Sequence, residues 1–86
     1  MANFKQEGGF VSEIEWLDIF GDNLADILKD EYMTRKELSE VLNMTEATIS
    51  RYINKRQMPT MKVIINMAYE LSITVDDLID FGDNIY

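Results

Sequence analysis

The chain has 86 residues, 47% of them apolar, a net charge of −8, and neither cysteine nor histidine. That length supports one modest core and not two, and the apolar share is that of a folded chain. The missing residue types exclude disulfides and thiolate metal sites, remove the commonest general base and metal ligand, and fit a reducing cytoplasmic setting without a bound cofactor.

Met1 to Glu7 carries neither the basic nor the apolar region of a signal peptide. Residues 1–11 show no period, and Gly8-Gly9 marks a joint. Ser12 and Glu15 have the spacing of a capping box. After them Trp16, Leu17, Phe20, Leu24, Ile27 and Leu28 recur at intervals of three and four, one face of a helix that should end between Asp30 and Tyr32. Gly21 falls inside it, at an expected cost of about 1 kcal/mol relative to alanine.

Thr34 and Glu37 form a second capping box, followed by Leu38, Val41 and Leu42 as the apolar face of a short helix. Asn43 suits the left-handed stop that such a helix needs. Thr45 caps a third helix with Ile49, Tyr52 and Ile53 facing inward. Asn54 to Pro59 reads as a loop, with Pro59 holding Met58 extended. Thr60 caps a fourth helix with Ile64, Ile65, Met67, Ala68 and Leu71 on its apolar side. Thr74 and Asp77 cap a short fifth helix bearing Leu78 and Ile79, and Gly82 fits the position after its end. No strand pattern appears, and no apolar run approaches the ~20 residues of a membrane helix. The expectation is an all-α, compact five-helix domain over 16–82, preceded by an extension over 1–15 and followed by a tail over 83–86.

Charge is segregated along the chain. Thr34 to Lys62 holds six basic residues against three acidic ones; the remainder holds two basic against thirteen acidic. This is the pattern of a basic face on an acidic body. Within the basic window, two short helices meet at a tight turn and must cross steeply. The second then projects with its first turn exposed, a geometry that fits the ~12 Å major groove.

The run Thr34 to Tyr52, TRKELSEVLNMTEATISRY, resembles the phage-repressor helix-turn-helix of the Cro/Xre type. The resemblance extends from Trp16 to Phe81, roughly three-quarters of the chain. Two departures are Ser39, where the family usually has alanine, and Asn43, where it usually has glycine. The resemblance implies a lambda-repressor-like domain that binds double-stranded DNA and regulates transcription, as a repressor of prophage type. It implies base contacts from Glu46, Ala47 and Arg51. Ser50 points the same way. The chemistry agrees: arginine can donate twice to guanine, glutamate can accept from cytosine, and alanine can touch a thymine methyl. Glu46 would also suit a helix N-terminus without any DNA. Thr45, at the start of the reading helix, and Arg35, at the first turn of its own helix, are further phosphate candidates. Asn54, Lys55, Arg56 and Gln57 match a loop that grips phosphates, fixing register without reading sequence.

An enzyme is not expected, since no Gly-rich phosphate loop or metal-spaced ligand set is present. Asp22, Asp26 and Asp30 form an acidic stripe that reads as a solvated helix face. The alternative function is a protein-interaction module or antitoxin-like regulator that uses the same fold to bind a protein partner. A homodimer is expected because one helix reads only a few base pairs. Its candidate surface is Ile79, Phe81, Ile85 and Tyr86, with Phe4 and Phe10 as a second choice.

Overall fold

The computed structural model describes residues 12–80. Five helices follow in order: α1 Glu13–Asp30, α2 Arg35–Leu42, α3 Glu46–Ile53, α4 Met61–Leu71 and α5 Val75–Ile79, and no strand occurs among the described residues. Helix α1 packs on α3 and α5, α2 packs on α3 and α4, and α4 packs on α5.

Each helix starts where a hydroxyl says it should. The side chains of Ser12, Thr34, Thr45, Thr60 and Thr74 accept the N–H of the residue three positions on. Ser12–Glu15, Thr34–Glu37 and Thr74–Asp77 close as reciprocal capping boxes, satisfying two orphan N–H groups each. Helix α1 therefore takes in Glu13–Glu15, which the sequence reading leaves in the N-terminal extension.

Four of the helices also share one stop. Among the described residues, the non-glycine ones with positive φ are Tyr32, Asn43, Lys55 and Ser72, at 53° to 65°. Each lies just past α1, α2, α3 or α4. In every case two backbone hydrogen bonds fold back across it, one from the left-handed residue and one from its successor. Met33 N–H reaches Leu28 O at 2.9 Å, Met44 reaches Ser39 at 2.8 Å, Arg56 reaches Arg51 at 2.8 Å, and Ile73 reaches Ala68 at 3.0 Å. This is the Schellman arrangement, which satisfies carbonyls the helix leaves open and brings the following residue back onto the body. Met33, Met44 and Ile73 are partly buried against the core.

The core is Phe20, Leu24, Leu28, Leu38, Ile49, Tyr52, Ile64, Met67, Ala68, Leu71 and Leu78. Phe20 stacks on Trp16 and meets the edge of Tyr52. Two residues expected on inward faces are exposed. Val41 is 44% exposed and Ile65 is 51% exposed. Both stand at the margin of their helix's apolar arc, where the neighbouring helix no longer covers them. Ile79 is half-buried and packed against the core, so part of its apolar surface is already used within the chain. Helix α5 ends at Ile79 with Asp80 extended. Gly82, expected just past that end, lies outside the described residues, as do Phe4, Phe10, Phe81, Ile85 and Tyr86.

Gly21 is not the flaw that helix propensity suggests. A Cβ there would lie 2.9 Å from Tyr52 O, 3.0 Å from Ile53 O and 2.9 Å from Lys55 Cγ. The missing side chain lets α1 press against the last turn of α3 and so fixes α3 on the body. Asn23, two residues on, ties α1 to the end of α5: its Nδ2 donates to the carbonyls of Leu78 and Asp80, both at 2.9 Å.

Candidate nucleic-acid interface

Helix α3 has an inner and an outer face. Ile49 and Tyr52 are buried, while Glu46, Ala47 and Arg51 are exposed and Ser50 is half-buried. The four candidate base readers lie at helix positions separated by one, four and five residues, so they share the outer side. Thr45 caps this helix: its Oγ1 accepts from Thr48 N–H at 3.1 Å and pairs with Thr48 Oγ1 at 2.9 Å.

Arg51 is held, and its partners lie on the same surface. Nε donates to Gln57 Oε1 at 2.8 Å, and Nη2 donates to Thr48 Oγ1 at 3.0 Å. Two of the five N–H groups of a guanidinium are thus engaged, and the plane is oriented before any ligand arrives. The hydroxyl of Thr48 joins the outer network of Thr45 and Arg51. Its three-residue spacing from both was the available signal.

Arg35 joins the two helices of the motif. From the first turn of α2, its Nη1 donates to Ser50 Oγ on α3 at 3.2 Å. Ser50 accepts this bond and keeps its own hydroxyl proton. Arg35, Ser50 and the exposed first turn of α3 therefore form one continuous polar edge, and helix N-termini carry partial positive charge.

The loop after α3 divides into two parts. Asn54, Arg56 and Gln57 are exposed, with Gln57 turned back to Arg51. Lys55 points to α1, where its Nζ lies 2.8 Å from Asp18 Oδ1 and 2.8 Å from Asp22 Oδ1. Hydrogen bonding to Asp18 and Asp22 raises its pKa from 10.5 to about 12. Its ammonium binds α1 in this structure and is not presented beside Arg56. Asp22 is correspondingly not part of a merely solvated stripe. Beneath the helix, burial raises the pKa of Tyr52, against a smaller lowering by Arg51.

Sequence reading missed three further residues that position the site. Gly21 and Asp18 act on the end of α3 from α1, and Asn23 fixes α5. None has a local signature, because each meets its partner more than thirty positions away.

The helix-turn-helix family model, HTH_3, matches residues 24–78. The chain belongs to this family, the Xre/Cro type of helix-turn-helix, whose members are DNA-binding transcriptional regulators. Its fold is shared by solved structures at low identity. An HTH_3 family transcriptional regulator from Vibrio cholerae superposes with a TM-score of 0.74 at 10% identity, over 78% of this chain and 38% of that one. The chain thus spans well under half of the Vibrio protein. A hypothetical transcription factor from Neisseria gives a TM-score of 0.72 at 17% identity, over 80% of this chain and 79% of that one. The SOS-response transcriptional repressor LexA from Eubacterium rectale gives 0.75 at 20% identity, over 81% and 74%. No curated protein matches the chain. Among the described residues no helix is long and apolar enough to cross a membrane, and no acidic group is arranged to hold a metal ion.

Proposed function

We propose that the chain is a sequence-specific repressor of transcription that reads duplex DNA in the major groove through α3. The observation that carries this reading is Arg51, exposed on the outer face of α3 and held by Thr48 and Gln57. A guanidinium fixed in this way loses little freedom on meeting guanine O6 and N7. Glu46 and Ala47, on the exposed first turn, meet the neighbouring bases, and Ser50 adds a hydroxyl.

Phosphates are gripped by Arg35, Thr45, Asn54, Arg56 and Gln57. Lys55, engaged by two carboxylates, holds the loop against α1 and contributes little to the grip. A homodimer on two half-sites about 34–36 Å apart supplies the affinity that one helix lacks. Bound across a promoter, such a dimer represses by occupying the site.

Selection from a random duplex library at physiological salt tests the reading. A two-fold symmetric consensus is expected. A folded protein that enriches no sequence would contradict it and favour a protein partner on the same fold.

A further inference from the structure

The outer side of α4 is apolar without being core. Met61, Ile65 and Tyr69 follow at four-residue intervals and are 61%, 51% and 80% exposed. Residues four apart form a ridge along a helix. Beside this ridge runs a second exposed one, Lys62, Asn66 and Glu70. The buried side, Ile64, Met67, Ala68 and Leu71, packs into the chain's own core.

The order of residues on the two ridges is self-complementary. Consider a second copy laid antiparallel across α4, with the two-fold axis passing beside Ile65. Ile65 then meets Ile65 of the other copy, and Met61 meets Tyr69. On the flank, Asn66 faces Asn66, whose amide both donates and accepts. Lys62 faces Glu70, and the symmetry repeats this pair at the other end. An isologous contact requires such a reversal of sign about its centre.

Charge also singles out this face. The chain carries −8 overall, so most surfaces of two copies repel one another. The outer side of α4 holds one lysine and one glutamate, is neutral, and carries three large apolar side chains. We infer that the outer face of α4 is the surface through which two copies of this chain associate, as an antiparallel helix pair centred on Ile65. The inference rests on the two-copy part of the function proposed above and not on its DNA part. It is a different surface from the C-terminal one expected from sequence. One 11-residue helix is about 16 Å long, so the contact is smaller than a standard interface and the dimer is weak.

The test uses the full chain without DNA, so it is independent of operator binding. Sedimentation equilibrium should show a reversible dimer. Lys62→Glu should raise its dissociation constant about tenfold, by turning two attractions into repulsions, and Lys62→Glu with Glu70→Lys should restore it. The absence of native cysteine permits a second measurement. Ile65→Cys should cross-link to itself under mild oxidation faster than Tyr32→Cys. Met61→Cys should cross-link with Tyr69→Cys faster than with itself. All these positions are exposed, and circular dichroism confirms that each variant is folded. A wild-type monomer at millimolar concentration, a charge swap that fails to restore association, or cross-linking at Ile65 no faster than at Tyr32 would each overturn the inference. Operator binding by a protein that fails these tests would leave the DNA reading standing and assign its dimer to another surface.

Discussion

Gly21 shows how one atom can connect a fold to its function. Alanine at this position improves helix propensity by about 1 kcal/mol, but its Cβ would sit within 3.0 Å of two α3 carbonyl oxygens. Backbone cannot rotate aside as a side chain can, so α1 and α3 must separate. Gly21→Ala should destabilise the protein by about 1–3 kcal/mol, the range for overpacking a tight site, measured by urea denaturation. A neutral or stabilising outcome would mean that the helix contact is looser than described. Tyr32 predicts the opposite sign. It occupies the left-handed region at φ 53° with its side chain 94% exposed, so truncation removes strain and almost no packing. Tyr32→Gly should stabilise by about 1 kcal/mol in the same assay. Lys55 shares that backbone conformation but carries two ion pairs, and glycine there would exchange one effect for the other.

At the scale of elements, the starts of helices were legible and so were most of their ends, but not the residues that take the left-handed stop. A hydroxyl followed by an acid three positions later is a local code, and all five N-caps obey the hydroxyl part of it. The ends depend on a residue that accepts positive φ, and here Tyr32, Lys55 and Ser72 do so with no glycine to announce them. Asn43 alone had a readable propensity. A second signal was available, the apolar residues Met33, Met44 and Ile73 directly after the stop, which return the chain to the core. The inward faces were legible from periodicity, except at Val41 and Ile65. Period alone gives the direction of the apolar arc and not where the next helix stops covering it. The candidate readers Glu46, Ala47, Ser50 and Arg51 could be placed on one side of α3 from spacing alone. The bonds that orient Arg51, and the capture of Lys55 by Asp18 and Asp22, depend on the assembled loop and on α1.

Lys55 and Arg56 make this distinction measurable at the element scale. Arg56→Ala should weaken binding to all sequences alike and flatten the dependence of log affinity on log salt by about one unit. Lys55→Ala should change that slope less, because its ammonium is already neutralised by α1. Equal changes in the two slopes, from titrations across a salt series, would show that Lys55 leaves its carboxylates for phosphate.

The whole molecule carries −8, with six of its eight basic residues between Thr34 and Lys62. At a Debye length of ~8 Å, carboxylates farther than that from bound DNA would be largely screened from it, while a net negative charge reduces general attraction to polyanions and favours solubility. The alkaline limit of stability follows from two groups whose pKa is raised on folding. For both Tyr52, raised from 10.0 by burial, and Lys55, raised from 10.5 to about 12, the folded state keeps a proton that the unfolded chain gives up first. Their contributions are complete below the unfolded values and are lost as pH rises through the folded ones. Thermal stability should therefore begin to fall above about pH 10, and Tyr52→Phe should soften the fall. A profile identical in that variant would remove Tyr52 from the account.

Arg51, held by Thr48 and Gln57, is the proposed reader of guanine. The most direct test of that role is the affinity of wild type and Arg51→Ala for the selected operator and for every single-base variant of it, at one fixed salt concentration. The variant should lose about 1–3 kcal/mol on the operator and become indifferent at one base pair, with discrimination elsewhere kept. A uniform loss across all sequences would make Arg51 a phosphate contact, and no loss at all would contradict the placement of α3 in the groove.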